Sequence, residues 1–176
     1  VRGAVALAFM PRFVRRAVER VYGVVVILGK PKSRGTVRLA STDPREQGLI
    51  DPAYFADPAD MATMIAGVKI ARRLAGSASL RAWGNTELMP GRRARSDEAL
   101  AKFVRKMAMT TYHYGGTCRM GQGAGSVVDP RLKVRGIQNL RVADASIMPE
   151  VPVSALNAPS MMIGWRAADL IREDAG

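Results

Sequence analysis

Apolar positions along the 176-residue chain recur with two different periods, and the change of period separates its elements. Gly23 to Gly29, GVVVILG, is a β-branched run closed at both ends by glycine, which predicts a buried strand. Gly35 to Ser41, GTVRLAS, alternates apolar and polar residues, as a strand with one face in water does. KPKSR before it is turn-like, and TDPREQGLIDPAYFADP after it carries too many prolines and aspartates for a regular element. The period lengthens beyond Asp57. Pro58 suits a first helical position and Asp60 a positive helix start. Met61, Met64, Ile65, Val68, Ala71 and Leu74 then share one helical face before Gly76 closes it. The methionines of that face fit core packing rather than a cofactor contact. A second helix follows Ser96, with Asp97 and Glu98 in its first turn and Leu100, Phe103, Val104 and Met107 as its stripe. Asn139 to Ser146, NLRVADAS, predicts a strand ending at a carboxylate. Pro159 to Asp174 predicts a closing helix with Pro159 in its first turn. Strands and helices mix without regular alternation, so the expected class is α+β.

Composition changes this picture little. A hydrophobic content of 48% and a charged content of 24% are those of a globular protein with a core. The opening VRGAVALAFMPRF has neither the length of a membrane span, which takes about 20 apolar residues, nor a signal cleavage site, and reads as mature protein. A single cysteine, Cys118, excludes an internal disulfide, and with a single histidine a zinc site is not expected. The net charge of +12 would permit binding to phosphate or anionic lipid. Its arginines are scattered, however, and aromatics make up only 6% of the chain, so a solvated basic surface is expected and no nucleic-acid partner.

The chemistry concentrates in TTYHYGGTC, Thr110 to Cys118, which holds the lone histidine, His113. An imidazole can take up a proton near neutral pH, and Gly115 and Gly116 let the backbone turn tightly or approach a ligand closely. Cys118 has no thiolate activator in the sequence and fits a small buried residue. GQGAGS, Gly121 to Ser126, lacks both the final glycine and the strand–helix context of a dinucleotide loop, so a flexible loop is expected. Asp144 suits either a ligand-facing strand end or an Asx turn. Asn157 suits either a helix cap or an amide reaching into a pocket beside free helix N–H groups.

Taken together, YHYGGTCRMG and SVVDPRLKVRGIQNLRVADASIMPEVPVSALNAPSMMIGWRAADLI closely resemble the C-terminal part of glucose–methanol–choline (GMC) oxidoreductases, nearest to the choline and alcohol dehydrogenases. PKSRGTVRLASTDPREQGLIDPAYFADPADM resembles that family's approach to its substrate domain, so the likeness runs from about Val24 to about Glu173. The resemblance implies FAD chemistry on a small alcohol, choline among the candidates. His113 takes the place of the family's acid–base and Asn157 that of its second polar group at the substrate oxygen. Asp144 and Ala145 match its contact with the FAD pyrophosphate and ribityl region, with the Ala145 N–H as donor. Asn157, Ala158 and Pro159 match the helix start near the flavin pyrimidine, where the helix dipole would favour negative charge. The implied architecture is a substrate-binding domain over residues 1–134, a mostly antiparallel sheet flanked by helices. Residues 135–176 would then be the last strand and helix returning to an FAD-binding domain. The family's N-terminal G-x-G-x-x-G unit has no counterpart here, so the FAD site would be incomplete and the N-terminal FAD-binding half would be a required partner. Tyr114 stands where many members carry proline. A hydroxynitrile-lyase-like chemistry on the same fold and a basic surface-binding module are the rival expectations. A cytoplasmic protein is expected, with membrane association left open.

Overall fold

The computed structural model describes residues 18–176 together with Pro11 and Arg16. The expectation of mature sequence at the very start of the chain falls outside the described residues.

From Pro31 onward the local readings are largely realised. Strand β1 (Thr36–Arg38) lies within the alternating segment and pairs antiparallel with β2 (Leu49–Asp51), Val37 opposite Ile50. The second strand corrects the expectation that the Pro/Asp-rich stretch holds no regular element: LID takes an extended edge just before Pro52 breaks it. Among the described residues these two short strands are the whole named sheet. Helix α1 spans Pro58–Ala75, with the Asp57 side chain accepting from Ala59 N–H and Gly76 as C-cap. The short α2 (Ala78–Arg81) follows, then α3 (Asp97–Met107), capped by the Ser96 hydroxyl accepting from Ala99 N–H. A 3-10 turn, Ala145–Ile147, precedes the closing helix α4, Asn157–Ala175.

Two readings are overturned. Residues 23–29 form no strand, and Val24, Val25 and Ile27 are 41%, 78% and 65% exposed. No described strand offers this run a ladder; Val26 turns inward onto α1 at Gly67, and Leu28 and Gly29 are half-buried. Residues 139–146 likewise form no strand. They contribute one bridge, Arg141 to Lys133, before Asp144 turns the chain into the 3-10 helix.

Burial sorts into two clusters. Met61 and Val68 of α1 meet Leu100 and Val104 of α3, with Val26, Phe55, Met64, Ile65 and Phe103 packed around them. Leu74 and Met107, at the far ends of the two stripes, remain exposed. The second cluster gathers Val128, Leu132, Ile147, Met148 and Leu156 with Ile163, Ala167 and Leu170 of α4. Asp60 does more than face a helix dipole: it is only 2% exposed. Burial alone would push its carboxyl up. The Lys32 N–H at 2.7 Å, with the Ser33 hydroxyl and N–H at 2.5 and 2.9 Å, outweighs that and holds it below the ordinary range. Among the described residues no helix is long and apolar enough to cross a membrane.

Candidate active site

Three separate stretches converge where α4 begins. The helix starts on Asn157, two residues before the expected proline, with Leu156 as its N-cap and no side chain capping it. Asn157 is thus the first helical residue and not a cap, and its carboxamide is exposed. A helix start leaves its first N–H groups unsatisfied, and here one of the nearest is taken by the histidine. The Leu156 N–H donates to His113 Nδ1 at 3.3 Å. The lone imidazole is thereby held against the residue that precedes Asn157. With Nδ1 accepting, the neutral ring carries its proton on Nε2.

The second stretch is the histidine segment itself. Tyr112 sits at a left-handed φ of 62°, with its N–H given to the Thr110 hydroxyl at 2.8 Å. Tyr114 shares a hydrogen bond between hydroxyls with Tyr54, sixty residues away in sequence. Beyond it the two glycines serve a close approach, though to backbone and not to a ligand. A Cβ on Gly115 would stand 2.8 Å from the Ala145 carbonyl oxygen, and Gly116 takes a φ of 85° while donating to that oxygen at 3.2 Å. The segment continues alongside the third stretch, Cys118 N–H to Ser146 O at 2.9 Å and Met120 N–H to Ile147 O at 2.8 Å. Cys118 is half-buried in this run.

In the third stretch the Asp144 carboxylate accepts the Ser146 N–H at 2.7 Å. The turn reading of Asp144 is realised, through Oδ1. The Ala145 N–H, at the head of the 3-10 turn, donates to no atom among the described residues. Ala158 is exposed and Pro159 half-buried. The Gly121–Ser126 loop lies apart: Arg135 reaches Gly121 O at 2.7 Å and Ser126 Oγ at 3.0 Å, and Arg119 reaches Gly125 O at 3.1 Å. The carbonyls of Gly121 and Gly125 are engaged by this protein's own arginines.

His113 is tied to Leu156, the residue before Asn157, and Ala145 O takes the backbone of the histidine segment at Gly115 and Gly116. Two partners had no signal in the sequence. A backbone N–H such as Leu156's has no side-chain signature, and Tyr54 lies in a loop whose conformation pairs it with Tyr114. Free N–H donors at a helix start and a turn, beside an exposed carboxamide, suit phosphate and electron-rich heterocycle edges. The donor chemistry is of the kind that an anionic ligand requires.

The fold is α+β, and its one imidazole is tied to the N-cap residue of the closing helix. The chain belongs to the GMC oxidoreductase family, whose C-terminal-domain model matches residues 31–164. It is 43% identical over 168 residues to an alcohol dehydrogenase [acceptor] of Pseudomonas putida, covering 93% of this chain and 30% of that protein. It is 48% identical over 145 residues to the choline oxidase of Arthrobacter globiformis, covering 80% of this chain and 27% of that one. Among solved structures a fungal aryl-alcohol oxidase superposes with a TM-score of 0.77 at 36% identity, over 84% of this chain and 24% of the other. The chain thus spans under a third of the length of each of these relatives.

Proposed function

We propose that this chain is the substrate-side part of an FAD-dependent enzyme that oxidises a small alcohol, choline among the candidates, to the aldehyde. One observation carries the reading: the hydrogen bond from Leu156 N–H to His113 brings the lone imidazole to the residue next to Asn157, at the start of α4. The relatives' names, alcohol dehydrogenase and choline oxidase, support the substrate class.

Bound FAD would supply the two-electron acceptor. His113 holds or receives the proton of the substrate hydroxyl, since an alkoxide gives up hydride far more readily than a neutral alcohol. While Nδ1 accepts from Leu156, the ring offers Nε2–H as a donor to the substrate oxygen. To take the proton at Nε2, the ring proton must move to Nδ1 and the Leu156 N–H must be released. At 3.3 Å that bond is long, so releasing it costs little. Asn157 donates from its carboxamide to the same oxygen and steadies the charge that develops there. Ala145 N–H would hold the FAD pyrophosphate, and the α4 start at Asn157, Ala158 and Pro159 would supply donors and a positive helix end for the flavin. Residues 1–134 form the substrate domain and residues 135–176 the segment that returns to the FAD domain. Met161, Met162 and Trp165, exposed on α4, leave a face for that half to cover.

The test is anaerobic mixing of substrate alcohol with flavin-loaded enzyme containing this chain. Bleaching of the flavin is expected, and His113→Ala should slow it by about 10²–10⁴-fold. A near-normal rate in that variant would remove His113 from the chemistry. Turnover without bleaching would point to lyase chemistry instead.

A further inference from the structure

The histidine segment is clamped from a direction that the proposed reaction does not use. On one side of the clamp lies the loop 52–56, where Ala53 and Phe55 hold left-handed φ values of 48° and 60°. Tyr54 stands between them. Asp51 Oδ1 accepts the Ala53 N–H at 2.8 Å, the Ala56 N–H closes on Ala53 O at 3.1 Å, and Phe55 packs on the helical core. On the other side lies Tyr112, also left-handed, then His113 and Tyr114. Non-glycine residues in this region cost free energy and persist only where the surroundings over-determine them. Two such loops face each other here, and the hydroxyl pair Tyr54–Tyr114 joins them.

We propose that Tyr54 is a positioning residue: its hydroxyl bond to Tyr114 fixes the backbone directly after His113 and so keeps the ring in place against Leu156. The backbone before the ring is already tied through Tyr112 and Thr110, and the backbone beyond Gly115 through Ala145. His113, Tyr114 and Gly115 lie between those ties, and the side-chain clasp at Tyr114 secures them. Either hydroxyl can donate in this bond. The contact with Tyr114 raises the Tyr54 hydroxyl above its ordinary range, while Thr110, and then Tyr54, lower that of Tyr114. A proline at position 114 would restrain the same backbone covalently, through its fixed φ and its constraint on the residue before it. Tyr54 and Tyr114 together do non-covalently what a ring would do alone.

The positional part of this inference stands on the geometry, and its catalytic consequence rests on the alcohol-oxidation reading, so the experiment has two readouts. In the first, the 176-residue chain is labelled with ¹⁵N-histidine, and because it has one histidine the ring signals belong to His113. The parent should show a single Nε2–H tautomer. In Tyr54→Phe and in Tyr114→Phe the two ring signals should move toward each other as the ring exchanges, with far-UV circular dichroism unchanged. The double variant should shift no further than either single one, because the two hydroxyls act as a unit. Tyr112→Phe, outside the pair, should leave the signals in place. In the second readout, Tyr54→Phe in the flavin-loaded enzyme should lower kcat about two- to tenfold with KM nearly unchanged, the scale of one net hydrogen bond. Adding Tyr114→Pro should restore kcat. Unaltered ring signals in folded Tyr54→Phe would overturn the proposal, as would a raised KM with kcat intact, which would make Tyr54 a substrate contact. Shifted signals in a protein that oxidises no alcohol would uphold the positioning role while sinking the oxidation reading.

Discussion

Gly115 shows how much at this site depends on single atoms. Its value lies in a missing Cβ, which would stand 2.8 Å from a backbone oxygen unable to move without the 3-10 turn. Gly115→Ala should therefore destabilise the fold by about 1–3 kcal/mol, the usual cost of forcing a methyl into a packed site. Gly123→Ala, with nothing within 4 Å of the added atom, should be nearly neutral. Urea midpoints of the two variants check this, and equal midpoints would contradict the close approach. The sequence signalled that the glycines matter, from their place beside a lone histidine. It could not tell whether they make room for a ligand or for the Ala145 carbonyl, because glycine is needed equally in both cases. His113 itself was legible by its rarity and company. Its tautomer was not, since that depends on a backbone N–H forty-three residues later.

At the scale of elements, periodicity succeeded where local caps and one buried face sufficed. α1 and α3 begin at Asp57 and Ser96, whose side chains accept the first-turn N–H groups as their composition predicts. Their stripes are correct in direction but not in extent, because burial is set by where the two helices touch. Leu100 is fully enclosed while Met107, at the end of the same stripe, is 45% exposed. Leu100→Ala should cost about 2–5 kcal/mol and Met107→Ala only a few tenths, although the pattern alone ranks them together. Denaturant titration separates them, and similar losses would mean that Met107 is covered in solution. The two missed strands share a cause. GVVVILG and NLRVADAS have the composition of strands, but a strand needs a partner edge, and within the described residues neither finds a ladder.

Across the whole molecule, α4 is held at both ends by contacts far apart in sequence. Its first turn meets His113, and its last carries Asp174, which takes Lys133 at 2.6 Å, Arg131 at 2.5 Å and also Arg141. Lys133 first, and then Arg131, hold the Asp174 carboxyl down at about 2 from an ordinary 3.8. A carboxyl lowered on folding binds its proton more tightly in the unfolded chain, so its stabilisation is complete above 3.8 and is lost as pH falls toward about 2. The stability gap between the parent and Asp174→Asn should therefore be open at about pH 6 and close over that acidic interval, as urea midpoints measured against pH would show. A gap that persists below pH 2 would mean the side chain acts by packing instead. None of the four residues advertised this cluster, because charge scattered along a sequence does not reveal which cations one carboxylate will gather. The sequence by itself determined the α+β class, the two capped helices, the closing helix and the family, since these rest on local periodicity, caps and ordered motifs. The tertiary structure decided that a β-branched run lies open, that the glycines serve a carbonyl, and that Tyr54 grips the loop carrying His113. Each of these depends on which distant backbone comes within hydrogen-bonding reach, and no local pattern encodes that.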